Sequence, residues 1–121
     1  MAALFAPLAE IEAAVASRAD RISVAAVNAP DSAVVSGDAE AVDALLAELA
    51  QRNVQGHRLR VGLAAHSPRV KPALPAMEAA ARAVTQHAPR IPVAWNLTGE
   101  ALRDVFDPKG LVSATDERTR R

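Results

Sequence analysis

The chain has 121 residues, half of them apolar, and its 14 basic and 14 acidic residues give no net charge at neutral pH. This length suits one compact domain, and the balanced charge gives no electrostatic reason to bind nucleic acid or an anionic membrane. The sequence contains no cysteine, which excludes disulfides, thiolate metal sites and a cysteine nucleophile. Because it has neither a signal-peptide pattern nor an apolar run near the roughly 20 residues of a membrane span, we expect a soluble, cytoplasmic protein.

The first third of the chain predicts a strand, a helix and a hairpin. An apolar run at residues 2–6 reads as a strand, and apolar side chains then recur at helical spacing over 8–15. Residues 22–27 alternate in the manner of a strand, and turn-forming residues follow at 28–32. A second apolar stretch at 33–35 completes a predicted antiparallel hairpin.

A second helix and a fourth strand are predicted next. Asp38 precedes an amphipathic segment, and its carboxylate suits the free amides of a first helical turn, so we expect it to be the N-cap. The sequence places the helix end at Asn53 and Gly56, followed by a half-exposed strand in which Leu59 and Val61 alternate with arginines. This order of elements predicts an α+β ferredoxin-like βαββαβ sandwich, with a four-stranded antiparallel sheet and two helices on one face.

The rest of the chain predicts less regular structure. Closely spaced prolines delay the next regular helix to about residues 75–86, because proline is tolerated only in a first helical turn. Residues 91–94 read as a short strand. No element is predicted from Ala101 onward, and we expect the tail at 101–121 to be disordered.

Three stretches of the chain carry a family resemblance. They read NAPDSAVVSGD at 28–38, RLRVGLAAHSP at 58–68 and RIPVAWNLTGE at 90–100. In this order and at this spacing they resemble the acyltransferase domain of modular type I polyketide synthases, a malonyl- or methylmalonyl-CoA:acyl carrier protein transacylase.

The resemblance covers about residues 1–100 and implies a partial domain. Residues 1–62 would form its ferredoxin-like small subdomain. Residues 63–100 would carry the active-site histidine loop, a helix and a strand that returns toward a large subdomain absent from this chain. Residues 101–121 are unmatched.

The second stretch holds His66 in a tight loop. Imidazole titrates near neutral pH, so it can take a proton from a hydroxyl group and return it to a leaving thiol. The resemblance implies that His66 is a general base. In the family this base activates a serine, in a Gly-His-Ser-x-Gly elbow, that attacks malonyl-CoA or a substituted malonyl-CoA. The acyl group then passes to the phosphopantetheine thiol of an acyl carrier protein.

No serine of this chain lies in such an elbow, and Ser36 lacks the glycine two positions before it. We therefore expect the chain to be inactive alone and to bind no cofactor itself. Its expected partners are an acyl carrier protein and the missing large subdomain. Two other interpretations stay open: a non-catalytic ferredoxin-like module that docks an acyl carrier protein, and a remnant of a truncated gene.

The residues before the histidine are candidates for substrate selectivity. In the family a four-residue motif ending in that histidine reads His-Ala-Phe-His in malonyl-selective members and Tyr-Ala-Ser-His in methylmalonyl-selective ones. Here it reads Leu63, Ala64, Ala65 and His66. Small Ala65 resembles the second group and Leu63 matches neither, so a loop without selectivity is an equal alternative.

Arginines near the loop form a second candidate surface. Arg58 and Arg60, with Arg52 and Arg69, would make a basic patch for an acidic carrier protein, the alternative being an ordinary solvated face. His57 and His87 are expected in structural positions. Three histidines so far apart in sequence predict no metal site.

Overall fold

The computed structural model describes residues 1–85, 87–94 and 101–102. The described residues form two compact units, one over residues 1–71 and the other from residue 72 on. The first unit contains β1 (Ala2–Phe5), α1 (Leu8–Ala16), β2 (Ile22–Ala29), β3 (Ser32–Gly37), α2 (Ala39–Gln51) and β4 (Gln55–Arg58). This is the βαββαβ order predicted from the sequence.

The four strands of the first unit form one antiparallel sheet in the order β2-β3-β1-β4. β1 is central, with Ala2 opposite Val35 and Leu4 opposite Ala33. All four of these side chains are fully buried, whereas Phe5 on the other face of β1 is exposed. Such alternation is typical of a sheet whose helices cover one face. The strand order and directions confirm the ferredoxin-like prediction.

One aliphatic core joins the helices to the sheet. Ile11 of α1 and Val42, Leu45 and Leu49 of α2 lie in the same cluster as the inward residues of the strands. Burying each large aliphatic side chain contributes about 1.5–3 kcal/mol relative to exposure. The helical periodicity of the sequence therefore identified the faces that pack on the sheet. The buried cluster consists of Ala2, Leu4, Ala6, Ile11, Ala14, Val15, Ile22, Val24, Ala33, Val35, Ala41, Val42, Leu45 and Leu49.

The hairpin of β2 and β3 brings two backbones unusually close at its open end. Its turn falls at residues 30–31, inside the predicted turn. At the other end Gly37 pairs with Ile22. A Cβ atom on Gly37 would lie 2.0 Å from the carbonyl oxygen of Arg21, so this approach requires glycine.

The predicted boundary between α2 and β4 is wrong. The helix ends at Gln51, and Gly56 lies inside β4 rather than at the helix end. Asn53 adopts a φ of 59°, a left-handed conformation that reverses the chain directly after the helix. β4 consequently begins at Gln55, three residues before the predicted start at Arg58, and it pairs with β1 there. Residues 59–61 lie outside the strand.

The second unit contains a helix and a short strand pair. A 3₁₀-helix (Pro68–Ala73) leads into it, followed by α3 (Leu74–Ala83), β5 (Val93–Ala94) and β6 (Ala101–Leu102). The predicted helix and short strand are both present. The prediction of no element from Ala101 onward is wrong, because β6 pairs antiparallel with β5. The predicted disorder beyond residue 102 lies outside the described residues, and none of the described helices could cross a membrane.

Candidate active site

The predicted general base, His66, occupies the loop between β4 and the 3₁₀-helix. The residue is half-buried, and its backbone φ is 57°. This left-handed conformation costs a residue with a Cβ atom about 1–2 kcal/mol. Contacts from the surrounding structure must therefore hold the loop in place.

Two serine hydroxyl groups fix this loop. The Ser23 Oγ atom, on β2, donates a hydrogen bond of 2.5 Å to the backbone carbonyl of His66, across 43 residues of sequence. The buried Ser67 Oγ atom donates to the carbonyl of Ala64 at 2.7 Å and accepts from the amide of Arg69 at 3.3 Å. Ser67 thus closes the loop locally, while Ser23 ties it to the sheet.

One ring nitrogen of His66 lies inside the structure. Nδ1 is enclosed and has no hydrogen-bond partner among the described residues.

Asp38 anchors the segment that follows the histidine. One of its carboxylate oxygens accepts a hydrogen bond from Nε of Arg69, and the other accepts one from Nε of Arg21 at 3.1 Å. These two guanidinium groups, Arg69 first, hold the pKa of the Asp38 carboxyl below its usual range. The prediction that Asp38 precedes α2 is confirmed. Its expected capping hydrogen bond is absent, and its two oxygens instead accept hydrogen bonds from the arginines.

An open cleft of about 570 Å³ lies beside the loop. Leu63 and Ala64 line it on one side, whereas Ala65 is half-buried and is not on its wall. The Leu63 side chain is 65% exposed. The start of α2 also lines the cleft, and its charged lining residues are Arg21, Asp38, Glu40, Arg58 and Arg69.

Most of the arginines near the loop already have carboxylate partners. Arg58 pairs with Asp43 and also approaches the Ala39 carbonyl at 3.4 Å. Arg52 pairs with Glu10 at 2.5 Å. Arg69 pairs with Asp38, as described above, so Arg60 alone of the four makes no ion pair within the part of the chain that the structure describes. The expected patch is therefore largely neutralised.

The other histidines lie elsewhere. His57, on β4, stacks on Phe5 with a ring-centroid distance of 5.6 Å, and His87 is exposed in the second unit. The described ranges contain no group of three or more side chains that could hold a metal ion.

Sequence reasoning missed the role of Ser23. Ser23 on β2 lies opposite Ser36 on β3. Both serines interrupt strands that are otherwise mostly apolar. Such paired polar residues are a weak signal that a loop covers that face of the sheet. The partner itself, 43 residues away, was not predictable from spacing.

Solved structures with this fold belong to a known enzyme class. The acyltransferase domain from the second module of the salinomycin polyketide synthase superposes with a TM-score of 0.81 at 38% identity, over 95% of this chain and 27% of that one. A malonyl-CoA:acyl carrier protein transacylase from Xanthomonas oryzae pv. oryzae gives a TM-score of 0.79 at 31% identity, over 95% of this chain and 38% of that one. The fold is that of acyltransferase domains.

The family assignment rests on the sequence match. The model of the acyl transferase domain family matches residues 1–114, and the chain belongs to this family. A relative, the spectinabilin polyketide synthase system protein NorB of Streptomyces orinoci, is 44% identical over 104 residues. That match covers 86% of this chain and 5% of NorB, so the chain spans a small part of its relatives.

Proposed function

We propose that this chain supplies the small subdomain and the general-base histidine of a polyketide synthase acyltransferase. The placement of His66 carries the proposal: its backbone has a left-handed conformation, and its carbonyl is held by the hydrogen bond from the Ser23 hydroxyl. A general base must be held at a defined position relative to the group that it deprotonates, and the anchored backbone of His66 supports this role.

The chemistry needs a serine from outside this chain. The imidazole of His66 takes the proton of the serine hydroxyl while the serine oxygen attacks the thioester carbonyl of the acyl-CoA. The tetrahedral intermediate collapses, the carbon–sulfur bond breaks, and the imidazolium returns the proton to the leaving thiol of CoA. In the second half, the imidazole takes the proton of a phosphopantetheine thiol, which attacks the acyl-serine ester. The proton then returns to the serine oxygen as that ester bond breaks.

The acyl group in this proposal is a malonyl-type extender unit. Leu63, Ala64 and Ala65 precede the base directly, so their side chains are the candidates for contact with the extender's α-substituent. Ala65 leaves more room than the phenyl ring of the malonyl-selective motif, which suits a branched extender. Because Leu63 matches neither motif, a loop without selectivity is an equal alternative. The 31%-identical malonyl-CoA:acyl carrier protein transacylase supports the general substrate class.

An acyl carrier protein is the proposed acceptor. Carrier contact is proposed for Arg58 and Arg60, near the histidine loop. Because Arg58 already pairs with Asp43, we assign the larger electrostatic contribution to Arg60.

Incubation of the isolated chain with acyl-CoA tests whether it holds only half of the catalytic pair. We expect intact-mass spectrometry to show no stable acylation with malonyl-CoA or methylmalonyl-CoA, because the sequence contains no nucleophile elbow. His66→Ala serves as the matched sample for non-specific modification. A stable acyl adduct on the native chain that His66→Ala lacks would show that the chain carries its own nucleophile.

A further inference from the structure

We propose that Ser23 is a positioning residue for His66, an inference that rests on the proposed role of His66 as the base. The Ser23 hydroxyl donates to the backbone carbonyl of His66 at 2.5 Å. It therefore acts on the peptide whose conformation orients the imidazole, and it does not touch the ring nitrogens.

Ser23 is well suited to hold a strained loop. It lies on β2 between Ile22 and Val24, whose side chains are buried in the core. Its backbone is paired with Ser36 on the neighbouring strand. The Ser23 hydroxyl therefore anchors the loop to a paired strand of the sheet. The hydrogen bonds of the Ser67 hydroxyl among the described residues, in contrast, join residues within three positions of it.

The strain at His66 gives this bond its importance. A residue with a Cβ atom at a φ of 57° relaxes toward negative φ when its contacts are removed. Relaxation would rotate the peptide and turn the imidazole away from its present direction. Ser23 opposes that rotation by holding the carbonyl oxygen.

Ser36 offers a matched control on the same pair of strands. It lies opposite Ser23 and is fully buried, but its hydroxyl has no hydrogen-bond partner among the described residues. Ser36→Ala thus removes a hydroxyl from the position opposite Ser23 without breaking a bond to the loop. Ser23→Thr keeps a hydroxyl at the critical position and suits a strand.

The test measures amide hydrogen exchange by NMR in the native chain, Ser23→Ala, Ser23→Thr and Ser36→Ala. The reporters are the amides of Arg69 and Val70, which bond to Ser67, and the reference is the Val54 amide, which bonds to the Leu49 carbonyl at 2.9 Å. We expect Ser23→Ala to accelerate exchange at Arg69 and Val70 roughly five-fold, equivalent to about 1 kcal/mol, and to leave Val54 unchanged.

The ring-proton resonances of His66 provide a second measurement. Loosening of the loop backbone away from His66 would not shift them. In Ser23→Ala we expect the ring-proton resonances of His66 to shift or broaden, while those of His57 and His87 keep their native positions. Ser23→Thr should restore native exchange within two-fold as well as the His66 resonances. Ser36→Ala should match the native chain in both measurements.

Several results would overturn the proposal. In Ser23→Ala, these are amide exchange at Arg69 and Val70 within two-fold of native, equal acceleration at Val54, or His66 resonances at their native positions. Failure of Ser23→Thr to restore the native exchange and resonances would also overturn it. So would the same effects in Ser36→Ala. The measurement does not depend on catalysis. A negative result would leave His66 as the proposed base, and an acyl transfer assay that excluded His66 would leave the exchange results standing.

Discussion

The close approach at Gly37 makes a stability prediction that follows directly from distances. In Gly37→Ala the new Cβ atom would lie 2.0 Å from the Arg21 carbonyl oxygen and 2.8 Å from the Ile22 Cα atom. Both are backbone atoms, so no side chain can rotate away. The two strands must separate by about 1 Å to reach a 3.0 Å contact.

The cost of that separation has two parts. Overpacking in a well-packed interior costs about 1–3 kcal/mol, and a clash with backbone lies at the upper end of that range. Separation also strains the neighbouring hydrogen bond of 3.0 Å from the Asp38 amide to the Arg21 carbonyl, which contributes about 1 kcal/mol. We expect Gly37→Ala to lower the free energy of unfolding by about 3–4 kcal/mol.

Urea denaturation followed by circular dichroism measures this loss. Gly62→Ala is the matched control, because a Cβ atom there meets nothing within 4 Å. Gly62→Ala should be neutral or gain up to about 1 kcal/mol by restricting the unfolded chain. Gly56→Ala should fall between the two, since its closest contacts are the ends of the Leu4 and Leu46 side chains. A Gly37→Ala variant within about 0.5 kcal/mol of native, or a Gly62→Ala variant equally destabilised, would refute the reasoning.

Two further predictions concern charge. Because the Asp38 pKa is depressed in the folded chain, its ion pairs contribute stability above the usual carboxyl range and lose it as the pH falls through the lowered value. In urea titrations from pH 6 downward, Asp38→Asn should therefore lose less stability at the acid end than native, and superimposable acid profiles would contradict this. For the proposed carrier contact, Arg60→Glu should weaken binding of a labelled acyl carrier protein roughly three- to ten-fold at low salt. Arg52→Glu, which alters an arginine already paired with Glu10, should have a smaller effect, and equal binding by Arg60→Glu and native would exclude the contact.

The hydrophobic periodicity of the sequence predicted the helices and strands that bury one face. It did not predict the position of a strand that has no buried face. α2 was found because Val42, Leu45 and Leu49 share one helical side and are buried. All four residues of β4 are exposed, so the strand has no apolar alternation. Its position is set instead by pairing with β1 and by the turn at Asn53. β6 was missed because it consists of two residues, whose pairing with β5 no periodicity reveals.

The candidate site was only partly predictable. The role proposed for His66 came from the resemblance, because a single histidine in a loop does not identify itself as a base. Asp38 was recognised as the residue before α2, but the sequence did not indicate that Arg21 and Arg69, 17 and 31 residues away, would take its carboxylate. Contacts over such distances depend on the folded sheet.

The most direct test of the central claim is the acylation rate of a chimera. In it, residues 1–102 of this chain replace the matching segment of the acyltransferase domain from the second module of the salinomycin polyketide synthase. The chimera is compared with its His66→Ala variant, and matching circular dichroism spectra establish that both are folded. The account predicts that the chimera accepts a malonyl-type acyl group from CoA and that His66→Ala slows this step about 10²–10⁴-fold. Acylation by the His66→Ala variant at a rate equal to that of the unsubstituted chimera would contradict it.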